Sequence, residues 1–155
     1  MVKRHYALNF PLYQFMGLEV LEAGPLKYRC GVPLNENNMN HFGTIHAAVQ
    51  WALAETLGGM FLWANFGFDR YLGVVANVNI KFRRPACTAL TSEACITEKE
   101  LDRVQEELQT LCKTVYTLMI DVRDMSDELI ATASAVYHAR DSGLFHGLPE
   151  SIKSI

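Results

Sequence analysis

Asn38-Met39-Asn40-His41-Phe42-Gly43-Thr44-Ile45-His46-Ala47-Ala48-Val49-Gln50-Trp51-Ala52-Leu53-Ala54-Glu55 opens a long apolar run. It continues through Thr56-Leu57-Gly58-Gly59-Met60-Phe61-Leu62-Trp63 without another charge. The run predicts one helix from Thr44 to Trp63, with Thr44 as its N-cap. A helix that is apolar nearly all round must be wrapped by other structure. Its single carboxylate, Glu55, is costly to bury alone, so its presence needs a reason. His46 and Glu55 stand nine residues apart. Nine helical steps turn about half a circle and advance roughly 13 Å. The two side chains leave opposite faces and meet only if two copies of the helix run antiparallel across a dimer axis. Gly58-Gly59 either weakens the helix or admits a close neighbour.

Strand patterns flank this helix on both sides. Pro11 to Met16 predicts a short N-terminal helix stopped at Gly17. Leu18–Ala23 and Leu26–Pro33 read as strands around Gly24-Pro25, and alternation is clear at Leu26, Tyr28, Cys30 and Val32. Tyr71–Arg83 is the sharpest strand. Its simple alternation puts Leu72, Val74, Ala76, Val78, Ile80 and Phe82 on one face, and Asn77, Asn79, Lys81 and Arg83 on the other. Thr88–Thr97 follows. Residues 98–111 switch to helical spacing at Leu101, Val104, Leu108 and Leu111, an amphipathic insertion with a solvated charged face. Lys113–Asp124 and Glu128–Arg140 are strands joined by Met125-Ser126-Asp127. This order predicts an α+β fold: a curved antiparallel sheet wrapped around one long central helix.

The bulk numbers fit one domain over residues 1–155, with a core spanning about 17–140. A net charge of −3 gives no basic footprint for nucleic acid or an anionic membrane surface. No apolar stretch has the length of a membrane span, and the N-terminus lacks a secretory core, so a cytoplasmic location is expected. Cys30, Cys87, Cys95 and Cys112 form no C-x-x-C pair and have no zinc-type spacing. Reduced, mostly buried thiols are expected, with no metal.

The stretch Asn40-His41-Phe42-Gly43-Thr44-Ile45-His46-Ala47-Ala48, with Glu55 further on, resembles the motif of the hot-dog fold thioesterases. The similarity is to the phenylacetic-acid-pathway type and its DUF4442-like branch. The spacings from Asn to His and from His to the acid match that family. Val78-Asn79-Ile80-Lys81-Phe82-Arg83-Arg84-Pro85-Ala86 resembles its strand after the helix. The resemblance covers roughly residues 17–140. It departs at Ala47 and Ala48, where the family carries two glycines. It departs also at Glu55, usually Asp, and at Val75, often Ser or Thr.

The resemblance implies hydrolysis of an acyl thioester carried on coenzyme A or an acyl carrier, with no other cofactor. The protein is expected to work as a homodimer or a dimer of dimers. Glu55 is expected to act as general base or as nucleophile. The free N–H groups at the helix start, near His46 and Ala47, are placed to hold the developing oxyanion. Asn40 is expected to orient the water or the carbonyl, and His46 to bond the substrate or fix the loop. Gly43 and Thr44 belong to the substrate loop. Lys81, Arg83 and Arg84 are either solvated charge or a seat for coenzyme A phosphates. Trp51, Phe61, Trp63 and Phe66 are either core or the lining of an acyl pocket. Two other readings use the same residues. One is a hot-dog hydratase or dehydratase pairing His41 with Glu55. The other is a non-catalytic acyl-thioester binder, favoured by Ala47, Ala48 and Val75.

Overall fold

A computed structural model describes residues 10–144. The elements in chain order are α1 (Pro11–Met16), β1 (Glu19–Ala23), β2 (Lys27–Val32), α2 (Ala47–Phe66), β3 (Tyr71–Phe82), β4 (Leu90–Cys95), α3 (Glu98–Leu111), β5 (Lys113–Asp124) and β6 (Leu129–Asp141). The six strands form one antiparallel sheet in the order β1-β2-β4-β5-β6-β3. The sheet curves around α2, as the order of elements predicted. Consecutive hairpins do not account for all of it, because β3 pairs with β6 at one edge rather than with β4. No helix among the described residues is long and apolar enough to cross a membrane.

The central helix starts and ends later than its sequence pattern suggested. Its N-cap is His46, not Thr44: His46 has extended backbone angles, and its Nδ1 accepts the Ala48 N–H at 3.0 Å. Leu53, Ala54, Leu57, Met60, Phe61 and Leu62 are fully buried against the sheet. The helix has almost no amphipathic bias. Burial of apolar surface therefore does little to choose its rotation about its own axis.

Polar side chains from four strands make that choice. Ser92 on β4 donates its hydroxyl to the Leu53 carbonyl at 2.8 Å. Tyr137 on β6 donates to the Glu55 carbonyl at 2.8 Å, and Tyr116 on β5 to the Gly58 carbonyl at 2.9 Å. Asn65 near the helix end donates to the Tyr28 hydroxyl on β2 at 2.7 Å. The Tyr116 and Tyr137 rings stack with centroids 5.2 Å apart. Gly58 is what lets Tyr137 reach: a Cβ there would sit 2.1 Å from the ring.

The single apolar face read into β3 is two half-faces. The pairing with β6 shifts between Val75 and Asn77, which leaves Ala76 as a bulged residue. One extra residue reverses the alternation. Val78, Ile80 and Phe82 pair with Ala135, Ala133 and Ala131 on the inner face. Leu72 and Val74 pair with Arg140 and His138 on the outer face. The insertion α3 forms as predicted, capped by Thr97, with Val104 and Leu108 buried. Leu111, expected in its apolar stripe, is exposed at the helix end. Its charged face is organised: Arg103 clamps Glu100 and Glu107, and Thr114 donates to Glu107. Cys30 is buried, but Cys87 and Cys95 are exposed, against the expectation of mostly buried thiols. They lie in the loop after β3 and at the end of β4.

Gly58→Ala should lower stability by about 1–3 kcal/mol, because the added methyl meets a ring anchored on both sides. Thermal unfolding of the variant measures it, and Gly58→Ala combined with Tyr137→Leu should recover part of the loss.

Candidate active site

The loop before α2 is built to present the helix start. Asn38 is buried and joins three segments: its Nδ2 donates to the Met16 and Pro33 carbonyls, and its Oδ1 accepts the Asn35 N–H. Its own carbonyl accepts the His46 N–H at 2.8 Å. Asn40 closes the next turn. Its Oδ1 accepts the Phe42 and Thr44 N–H groups, and its Nδ2 donates to the Thr44 hydroxyl at 2.9 Å. Gly43, at φ 76°, occupies the left-handed position of that turn. Asn40, Gly43 and Thr44 thus hold one another, while His41 stacks on the exposed Phe42.

This arrangement consumes nearly every donor at the helix start. The Ala48 N–H goes to His46 Nδ1, and the Val49 and Gln50 N–H groups go to the His46 carbonyl. The His46 N–H, expected to be free, goes to Asn38. Among the described residues, the Ala47 N–H is the open donor at this end, on an exposed residue at the positive end of the helix dipole. Because His46 Nδ1 is an acceptor, the neutral imidazole carries its proton on Nε2 and offers a donor.

Ala47, Trp51 and Glu55 follow at four-residue spacing, so they share one stripe of α2. Ala47 and Trp51 are exposed and Glu55 is half-buried. Burial pushes the Glu55 carboxyl above its usual range, opposed by a hydrogen bond from the Tyr13 hydroxyl to Oε2 at 3.1 Å. No cation among the described residues forms an ion pair with it. Tyr13 belongs to α1 and stacks on Phe10, which packs on Trp63. Burial and the Glu55 charge hold the Tyr13 phenol well above its ordinary range, so it stays a donor. Eight residues separate Ala47 from Glu55, about 12 Å along the axis. A glutamate side chain does not span that, so one chain does not bring the acid to the open N–H.

The other expected residues lie apart from this stripe. Lys81 is exposed on the outer face of β3. Arg83 reaches Thr132, and Arg84 pairs with Glu128 at 3.0 Å. Phe61 is buried among Tyr28, Phe66 and Tyr116, and Phe66 packs edge-on against Tyr71. Trp63 packs on Phe10 and Phe68. Trp51, by contrast, is 38% exposed within the acid's stripe, and Val75 pairs with Tyr137 on the inner face. Sequence pattern alone does not mark Tyr13, Asn38, Tyr116 and Tyr137 as site-forming residues. Asn38 carried a faint signal, an Asn-rich loop ahead of an apolar helix. Tyr13 carried none, since its partner lies 42 residues away.

A six-stranded antiparallel sheet curved around one helix is the hot-dog fold. Residues 1–138 match the family described as "Domain of unknown function (DUF4442)", and the chain belongs to that family. It is similar to a solved Pseudomonas aeruginosa protein of unknown function called a probable thioesterase. The two share 27% identity over 90% of this chain and 94% of that one, with a TM-score of 0.81. A Haemophilus influenzae thioesterase superposes with a TM-score of 0.73 at 18% identity, over 95% of this chain and 92% of that one. A Staphylococcus aureus thioesterase, solved with one glutamine replaced by alanine, gives 0.71 at 14% identity, over 84% and 99%. The same staphylococcal protein is also solved with one glutamate replaced by alanine. No curated protein matches the chain.

The raised Glu55 value fixes a pH signature. A carboxyl whose folded value lies above its unfolded one favours the fold while protonated, and that contribution is lost as pH rises through the folded value. Glu55→Gln should therefore melt higher than the parent at neutral pH. The difference should vanish below the ordinary carboxylate range. Melting both proteins across pH 3 to 8 measures the convergence.

Proposed function

We propose that the chain hydrolyses acyl thioesters as a homodimer, taking coenzyme A or acyl-carrier esters as substrate. The observation that carries this is the separation within one chain of a half-buried acid, with no ion-pair partner among the described residues, and the open N–H at the start of the same helix. An antiparallel second copy sets the Ala47 N–H of one protomer opposite Glu55 of the other, and two-fold symmetry then makes two sites. The exposed apolar side chains around the stripe, Trp51, Val75 and Phe82 among them, suit coverage by that copy.

In this reading the Ala47 N–H holds the thioester oxygen as it becomes negative. Glu55 either takes a proton from a water that adds to the carbonyl carbon, or adds itself to give a mixed anhydride that water then cleaves. The C–S bond breaks, the electron pair leaves with sulfur, and the thiol takes up the proton. A carboxyl held above its ordinary range is a stronger base than an ordinary one. The names of the solved relatives support the reaction class. The staphylococcal thioesterase adds a further support: its two altered positions, a glutamine and a glutamate, stand as far apart as Asn40 and Glu55 here.

A thiol-release assay over short, long and aromatic acyl-CoA esters tests the reading. Glu55→Gln should lose about 10²–10⁴-fold in kcat. Ala47→Pro should fold, since proline suits a first helical position, and should lose about 10²–10³-fold with the N–H. Mixing the two inactive variants through unfolding and refolding should restore about a quarter of parent activity, because half the dimers then carry one intact site. No recovery on mixing rejects the shared site, and unchanged turnover in Glu55→Gln rejects the acid.

A further inference from the structure

We infer that Tyr13 is a positioning residue for Glu55: α1 lays its hydroxyl on one carboxylate oxygen and leaves the other to do the chemistry. The inference rests on the hydrolytic reading above. Tyr13 donates to Oε2 at 3.1 Å, while Oε1 has no hydrogen bond among the described residues and is not sealed from solvent. A carboxylate on an uncharged helix can swing through several rotamers. One fixed oxygen limits it to few, so the free oxygen points in a set direction.

The rest of α1 is fastened as if to keep that hydroxyl in place. A six-residue helix is too short to hold its shape unaided. Here it is held at both ends. Phe10 stacks on Tyr13 at 5.2 Å and on Trp63 at 5.6 Å, which ties the start of α1 to the far part of α2. At the other end Met16 is buried, its carbonyl accepts from Asn35 and Asn38, and the Tyr13 carbonyl accepts the Leu18 N–H at 2.8 Å. The Asn38 carbonyl accepts the His46 N–H, so one buried residue, through its side chain and its backbone, locates both the arm that holds the acid and the helix start that offers the Ala47 N–H.

The hydroxyl is suited to the task. Thr56, next to the acid, lies close enough to the Tyr13 phenol to influence it. Among the described residues, the titratable groups facing Glu55 are Tyr13 from α1, Tyr137 from β6 and Tyr116 from β5, and all three phenols are pushed well above their ordinary range. They remain uncharged while the protein works. The hold is a hydrogen bond and not an ion pair, so it orients the carboxylate without drawing it fully down to an ordinary acidity.

Tyr13→Phe, which keeps the ring and removes the hydroxyl, tests this with two readouts. The first is the pH profile of kcat and KM on a thioester the parent hydrolyses. The expected result is about a tenfold loss in kcat with KM little changed, and an acid limb moved to higher pH. The second needs no turnover. Carboxyl-carbon NMR follows the titration of Glu55, identified by its disappearance in Glu55→Gln, and its midpoint should also move to higher pH. Thr56→Val, which keeps the volume, should move it the same way by less. Should the parent turn over while the Tyr13→Phe profile and midpoint coincide with it, Tyr13 is overturned and the hydrolytic reading stands. A parent that hydrolyses no member of the ester panel overturns the hydrolytic reading, and the positioning role falls with it.

Discussion

A helix with no polar face has no reason to prefer one rotation over another inside an apolar sheath. That problem governs this molecule. The hydrophobic effect drives α2 into the curved sheet but is nearly blind to its turning. Four hydrogen bonds, from Ser92, Tyr137 and Tyr116 and between Asn65 and Tyr28, remove the ambiguity. Each contributes only about 1 kcal/mol net. Their weight lies in what they exclude. A turned helix would leave buried hydroxyls unsatisfied, and that costs about 1–3 kcal/mol for each one. The bonds therefore act as a set of alternatives made expensive, more than as a sum of attractions.

Fixing the rotation fixes which residues remain uncovered. The uncovered stripe carries Ala47, Trp51 and Glu55, and the chemistry proposed for the protein is written on it. The helix start shows the same logic on a smaller scale. Of the four orphan donors, His46 satisfies those of Ala48 and Val49 through Nδ1 and its carbonyl, Asn38 takes the His46 N–H, and Ala47 is left. A serine cap would bond an N–H as well, but it would not place a ring donor beside the one left open. The departures from glycine at Ala47 and Ala48 do not remove this donor, because it belongs to the backbone.

Much of this was legible in the sequence, and the reasons are physical. The central helix, the succession of strands along the chain and the inserted α3 follow from periodicity, which needs only near neighbours. The candidate acid was visible because a lone carboxylate in an apolar run is conspicuous. What escaped was set by distant contacts. The cap moved from Thr44 to His46 because Asn40 had already engaged Thr44 in its turn. The faces of β3 exchanged at Ala76 because the register against β6 slips there, and no local pattern announces such a slip. Tyr13 reads as one more aromatic in a short helix until the fold carries it over α2.

The notch at Gly58 ties two distant positions into one volume. The space a side chain would fill there is already occupied by the ring of Tyr137, which stands far inside van der Waals contact of any added carbon. Drift at either position is then constrained by the other. A lineage that enlarges residue 58 must shrink residue 137, and in doing so gives up the hydroxyl that reaches the Glu55 carbonyl. Relatives able to make that exchange need another way to orient the acid. The bulk of the side chain at the helix midpoint should therefore sort members of the fold by how their carboxylate is aimed.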